Sequence, residues 1–243
     1  MPTTSLAKAI AIVIVAVTLG GSATARDATK AKAPLVYFLD PQSAELLAGA
    51  EKQDFMPLIS RFISEYQATF CGIASSVMAL NALGIKPPVS PQWYPYSYWD
   101  QDNIFSEEVL KEVKPVSGIN AGGITLEELQ TLLNLSGAKA EKVFASDTDV
   151  DAFRQAARAA IADPNAILIV NFGRAQLGQA GIDGGGHISP IAAYNAKTDR
   201  FLVLDVARYK FVPSWVTADR LYVAMNTPDS SSGKTRGYVI VRK

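Results

Sequence analysis

The sequence is poor in the residues that build cross-links and metal cages. Its 243 residues include one cysteine, Cys71, and one histidine, His187. A single thiol forbids an internal disulfide and excludes a zinc site made of several thiolates. No metal-ligating set is therefore assigned, and no cofactor is required. Net charge is missing as well, with 23 basic residues against 23 acidic ones. No field of one sign covers the chain, so nucleic acid is not an expected partner. Long apolar runs are also lacking. The most apolar stretch, residues 9–19 (AIAIVIVAVTL), is too short to span a bilayer comfortably. There is no internal repeat, and the only biased segment is a small serine cluster at 230–232.

What is present begins with a targeting pattern. Lys8 and the terminal amine precede the apolar run, and Ala23-Thr24-Ala25 supplies the small residues a signal peptidase accepts. Residues 1–25 are thus expected to be a signal peptide cleaved after Ala25. The mature chain is expected to be secreted or periplasmic, with no stable membrane anchor once the signal is removed. Residues 26–34 read as a flexible N-terminus, and residues 35–243 as one catalytic domain. A lone cysteine is usually a small buried hydrophobe. In an oxidising compartment an unpaired thiol is a liability, which favours a chemical role.

Residues 42–49 and 57–66 read as short helices. Residues 71–83 place Ile73, Val77 and Leu80 at helical spacing, with Gly84 as a C-terminal cap and Pro87-Pro88 beyond it. The aromatic, turn-rich segment 90–105 reads as an ordered loop along the core. Thr125 and Glu128 form a capping box for a helix over 125–135, and another helix runs through 150–161. Residues 166–172, 187–194, 200–206 and 236–241 read as strands. Helices come first and an antiparallel sheet second, so the expected class is α+β with segregated halves, the helix of Cys71 packed on a C-terminal sheet.

Cys71 opens its helix, where free N–H groups and the positive dipole end favour a thiolate and can hold an oxyanion. Gly72 beside it is expected to let substrate approach closely. His187 follows Gly184-Gly185-Gly186 and suits a proton carrier near neutral pH. Asp205 lies 18 residues further on. If strands 187–194 and 200–206 pair through a turn at 195–199, Asp205 comes alongside His187 and orients the imidazole. Each residue alone also fits a bland role: an inert thiol, a hydrogen-bonded histidine, a turn aspartate. Together they make a nucleophile, base and orienter.

Four strings carry a family resemblance: FCGIASSVMALNALGI (70–85), GHISPIAAYN (186–195), LDVARYKFVPSWV (204–216) and SGKTRGYVIV (232–241). They resemble the phytochelatin synthase family, in this order, over nearly the whole mature chain. The resemblance implies a papain-like cysteine protease fold and glutathione (γ-Glu-Cys-Gly) as substrate. It implies that Cys71 attacks the Cys–Gly carbonyl, that His187 protonates the departing glycine, and that a γ-glutamylcysteinyl thioester passes to water or to a second glutathione. Asp229 and Arg236 match blocks suited to gripping the γ-Glu amine and carboxylate, with Asn171 as a further polar lining residue.

Three departures stand out. The family places a glutamine six residues before the cysteine to complete the oxyanion hole; here that position is Glu65, while Gln67 lies four before. A carboxylate facing an oxyanion would repel it unless protonated. Glu65 and Gln67 both remain candidates. The loop before His187 (GQAGIDGGG) is longer. The cysteine-rich C-terminal region of plant members is not in this sequence, so activation through a protein metal site is not expected. Cadmium or zinc would enter instead as a thiolate complex with glutathione. Alternatives stay open: a papain-like peptidase on other peptides, or an exported binder of thiol or metal–thiolate ligands. A homodimer is also left open.

Overall fold

The computed structural model describes Met1, residues 34–179 and residues 185–243. The expected signal peptide, nearly all of the 26–34 segment and residues 180–184 of the glycine-rich loop lie outside the described residues. In chain order the elements are β1 (Val36–Tyr37), α1 (Pro41–Ala48), α2 (Phe55–Ile59), α3 (Cys71–Ala82), α4 (Glu107–Glu112), α5 (Val116–Gly122), α6 (Leu126–Leu135) and β2 (Lys139–Phe144). They continue with α7 (Val150–Ala162), β3 (Ala166–Gly173), α8 (Arg174–Leu177), β4 (Gly186–Asn195), β5 (Arg200–Val203), β6 (Ser214–Thr217) and α9 (Ala218–Met225). The short pair β7 (Pro228–Asp229) and β8 (Lys234–Thr235) precedes β9 (Gly237–Arg242).

The sheet runs β1-β6-β5-β4-β3-β9-β2, with every neighbouring pair antiparallel. Helix plus antiparallel sheet is the α+β class expected. The halves are less segregated than the sequence suggests. β1 and β2 come from the N-terminal side and occupy the sheet's two edges. Helices also cover both faces. Ile167 and Ile169 of β3 point into a core shared with α3 and α6, while Leu168, Val170 and Phe172 point into a second core with α7 and α9. Both faces of β3 are dry, which is why it reads as a continuous apolar run and not as an alternating one.

Helix α3 lies deep in the first core, and every residue from Gly72 to Leu80 is buried. Its small side chains allow close packing on β4. Ser75 Oγ donates to the Ile188 carbonyl at 3.1 Å, tying the cysteine's helix to the strand of His187. The α6 capping box forms as read, Thr125 Oγ1 accepting from the Glu128 N–H and Glu128 accepting from the Thr125 N–H.

The helix expected over 57–66 is corrected to α2, which ends at Ile59. Beyond it the backbone is satisfied from elsewhere. The Glu65 N–H donates to the Val206 carbonyl at 2.9 Å. The fully buried Gln101 side chain donates to Ser64 O and accepts from the Tyr66 N–H, both at 2.9 Å. A segment docked through its backbone on two other parts of the chain has no need of helical bonds. The strand expected over 200–206 also stops early, at Val203, where pairing with β4 has just passed an irregularity between Ile191 and Ala193. Residues 204–206 leave the regular ladder but stay beside β4, the Leu204 N–H donating to the Pro190 carbonyl at 3.0 Å and the Val206 N–H to Ser189 Oγ at 3.3 Å.

Candidate active site

Cys71 is the first residue of α3, and among the described residues no side chain caps that helix start. Its first N–H groups are therefore available to an acyl oxygen beside the sulfur. His187 is the second residue of β4, opposite Phe172 on β3. The Phe172 ring stands edge-on to the imidazole, 5.6 Å between centroids. The expected meeting of strands through 195–199 occurs, with β4 and β5 pairing from Asn195 and Arg200 back to Ile191 and Val203. It brings Asp205 Oδ1 to 2.8 Å from His187 Nε2. The contact is close but bent, because the ring N–H is not aimed along the line to the oxygen. With Nε2 facing Asp205, the other ring nitrogen is left for Cys71.

Electrostatics fit that arrangement. Burial pushes the imidazole towards its neutral form, but Asp205 and Cys71 outweigh it and lift the His187 pKa to about 9. Burial also raises the Asp205 carboxyl, yet His187 and Arg174 hold it well below the usual carboxylate range. The imidazole is thus protonated at neutral pH and the carboxylate charged.

Arg174, Gln179 and Tyr209 were missed from sequence. Arg174 follows β3 directly and reaches Asp205 through both arms, with Gln179 Nε2 also donating to Oδ2 at 3.3 Å. The Phe211 ring lies 5.0 Å from the guanidinium carbon. A charged residue at the end of a wholly buried, mostly apolar strand was the available cue to Arg174. Tyr209 donates its hydroxyl to Glu65 Oε1 at 2.7 Å. Oε2 of the same carboxylate is buried without a hydrogen-bond partner among the described residues.

Glu65, not Gln67, stands beside Cys71: ligand atoms of Glu65, Cys71 and His187 all lie within 4.8 Å of one another. Gln67 is exposed and is not among the cleft-lining residues. It cannot replace Glu65 by a local shift, because the Glu65 N–H is pinned to Val206. The role expected of Gly72 is also corrected. It is buried, and a Cβ there would meet Ile124 carbons at 2.6 Å. Its missing side chain serves helix packing and not substrate approach.

A cleft of about 340 Å³ opens over the sulfur. Cys71, Asn171, Asp229 and Arg236 share its wall with Gly123 and Gly186. Arg236 is only 8% exposed, so it is no solvated surface residue. Its Nη1 donates to Thr227 Oγ1 at 2.9 Å and to the Pro228 carbonyl, and its Nε is buried without a partner among the described residues. Gly186 makes room for it: a Cβ there would sit 2.6 Å from Nε. Three binding candidates, Asn171 on β3, Asp229 on β7 and Arg236 between β8 and β9, thus converge beside the cysteine.

The family model "Phytochelatin synthase" matches residues 28–238.

The chain belongs to the phytochelatin synthase family.

It is 35% identical over 214 residues to glutathione gamma-glutamylcysteinyltransferase 1 of Lotus japonicus, covering 86% of this chain and 41% of that protein. The protein of the same name in Arabidopsis thaliana is 34% identical over 199 residues, 82% of this chain and 39% of its own length. A glutathione gamma-glutamylcysteinyltransferase of Schizosaccharomyces pombe is 30% identical over 189 residues, 78% of this chain and 43% of its own length. The chain spans about two fifths of the length of the curated relatives it matches. The blocks that resemble the phytochelatin synthase family meet at one site: 70–85 supplies Cys71 and 232–241 Arg236 to the cleft wall, and 186–195 and 204–216 supply the His187–Asp205 pair.

Proposed function

We propose that this chain is a glutathione γ-glutamylcysteinyltransferase-like acyltransferase on a papain-like scaffold. The observation that carries the reading is the convergence of Cys71, His187 and Asp205 beneath a cleft walled by Asn171, Asp229 and Arg236. The Cys71 thiolate attacks the Cys–Gly carbonyl of glutathione, and the developing oxyanion faces the start of α3. The His187 imidazolium gives its proton to the glycine nitrogen as the C–N bond breaks. A γ-Glu-Cys thioester remains on Cys71. Neutral His187 then takes a proton from water, releasing γ-Glu-Cys, or from the amine of a second glutathione, giving the first phytochelatin.

The zwitterion at the γ-Glu end needs one acidic and one basic partner, and Asp229 with Arg236 offers both. A cleft that grips this end favours a γ-glutamyl donor over ordinary peptides. Among the described residues, no helix is long and apolar enough to cross a membrane. The targeting pattern at residues 1–25 supports an exported protein acting on glutathione outside the cytoplasm. Cadmium or zinc would reach this cleft as the thiolate complex of the substrate.

The test is glycine release from glutathione by residues 26–243 and by Cys71→Ala, with and without cadmium. Release that vanishes in Cys71→Ala, with γ-Glu-Cys or longer peptides as co-product, supports the reading. No glycine from folded, reduced wild type would sink it.

A further inference from the structure

We infer that Glu65, Cys71 and His187 together form a binding site for one thiophilic divalent cation of the zinc and cadmium class, and that a cation held there blocks the nucleophile. Three observations carry this. First, the three side chains bring one thiol, one imidazole and one carboxylate to within 4.8 Å of one another, with none of them exposed. Ligands on one tetrahedral zinc lie about 3.5 Å apart, so rotamer adjustments of about 1 Å close the cage. Second, Glu65 is 5% exposed, and its Oε2 is an acceptor without a partner among the described residues. An orphan carboxylate oxygen beside a thiol is a cost that a cation would remove. Third, both harder ligands already have the outer partners that metal ligands usually have. Asp205 stands at His187 Nε2, leaving the other ring nitrogen for an ion, and Tyr209 holds the second oxygen of Glu65.

The donor set selects the cation. A thiolate with an imidazole and one carboxylate suits Zn²⁺ or Cd²⁺; Mg²⁺ and Ca²⁺ want oxygen ligands throughout. Binding displaces the proton from the His187 nitrogen that faces Cys71; that proton leaves to buffer, and the freed nitrogen and the thiolate sulfur each donate a lone pair to the metal. The sulfur lone pair needed to attack a carbonyl then lies in the metal bond. Three protein ligands leave a fourth position towards the cleft for water or an incoming thiolate. Free cation would therefore inhibit, while a cation already wrapped in glutathione thiolates would not. The binding stands by itself; the inhibition rests on the transferase reading.

The experiment titrates reduced, metal-free mature protein with Zn²⁺ and Cd²⁺. Binding is followed by the near-ultraviolet thiolate–cadmium band and by the rate at which iodoacetamide alkylates Cys71. One equivalent of either ion should protect Cys71 and be reversed by chelator, and Ca²⁺ should give no protection. Glu65→Gln should weaken binding about tenfold or more, since even outer partners of a ligand are worth that much. Zinc-edge absorption of the wild type should show one sulfur among nitrogen and oxygen neighbours, which needs no variant to fold. Absence of protection, a second sulfur per zinc, or undiminished binding by folded Glu65→Gln would overturn the site. Glycine release by the metal-free protein is scored separately, so its failure counts against the transferase reading and not against the cation site.

Discussion

Arg174 forks onto both carboxylate oxygens of Asp205, Nη1 on Oδ2 at 2.7 Å and Nη2 on Oδ1 at 3.1 Å, with both side chains almost wholly buried. Oδ1 also accepts from the Ala207 N–H at 2.9 Å while facing His187. The aspartate is thus fixed in rotation before the imidazole meets it. A bidentate guanidinium does this better than any single donor, because it sets the plane of the carboxylate.

Replacing the guanidinium exposes how much the site depends on it. Arg174→Met leaves a buried carboxylate short of two donors, and breaking such a pair costs about 3–5 kcal/mol. Arg174→Lys should recover only part, since an ammonium cannot fork. Denaturant unfolding of the three proteins checks this; equal midpoints would refute it.

Asp205→Asn should reduce turnover by about 10²-fold or more and move its alkaline limb downward. The His187 pKa is raised to about 9 by Asp205 and Cys71 working against burial. A histidine raised in the folded state stabilises the protein fully below its unfolded value of about 6.5, and that contribution fades as pH rises towards 9. The wild type should keep its activity to that region and then lose the proton needed by departing glycine. Profiles of kcat/KM and of unfolding against pH, wild type beside Asp205→Asn, read both effects. Superimposable profiles would remove Asp205 from the mechanism.

Glu65→Gln puts a donor where the structure has an acceptor beside the reacting carbon. One oxyanion donor is worth about 10²–10³ in kcat, so metal-free turnover should rise, by up to about 10²-fold. An unchanged rate would assign oxyanion stabilisation to the backbone N–H groups at the start of α3.

Gly186→Ala would push a methyl to 2.6 Å from Arg236 Nε. The guanidinium must swing away from the cleft, while Cys71 and His187 keep their elements. The expected signature is a KM for glutathione raised about tenfold or more with kcat little changed, the loss of about 1.4 kcal/mol of ground-state binding. A fall in kcat alone would mean that Arg236 acts on the chemistry and not on the donor's γ-Glu end.

Much of this was readable from particular residues. The cysteine at a helix start, the histidine on a strand after glycines and the aspartate one hairpin away are local patterns, and the β4–β5 pairing that unites them follows from alternation and a short turn. Arg174 was not readable. Its partner lies 31 positions away, and its place after a buried strand, the one local cue, does not by itself separate a buried arginine from a solvated one. Gly72 misled for a related reason, because a glycine beside a nucleophile looks the same whether it faces substrate or Ile124.

The sequence by itself determined the α+β class, the extent of α3, α6 and α7, the three candidate side chains that the fold brings together and the family. Periodicity, caps and short turns act over a few residues, so they are written in the order of the chain. Only the tertiary structure decided between Glu65 and Gln67, put Arg174 behind Asp205, buried Arg236 and joined β1 and β2 to the sheet edges. Those outcomes turn on which groups meet after the backbone of residues 64–66 docks on Gln101 and Val206, and burial and long-range pairing have no period for a sequence to display.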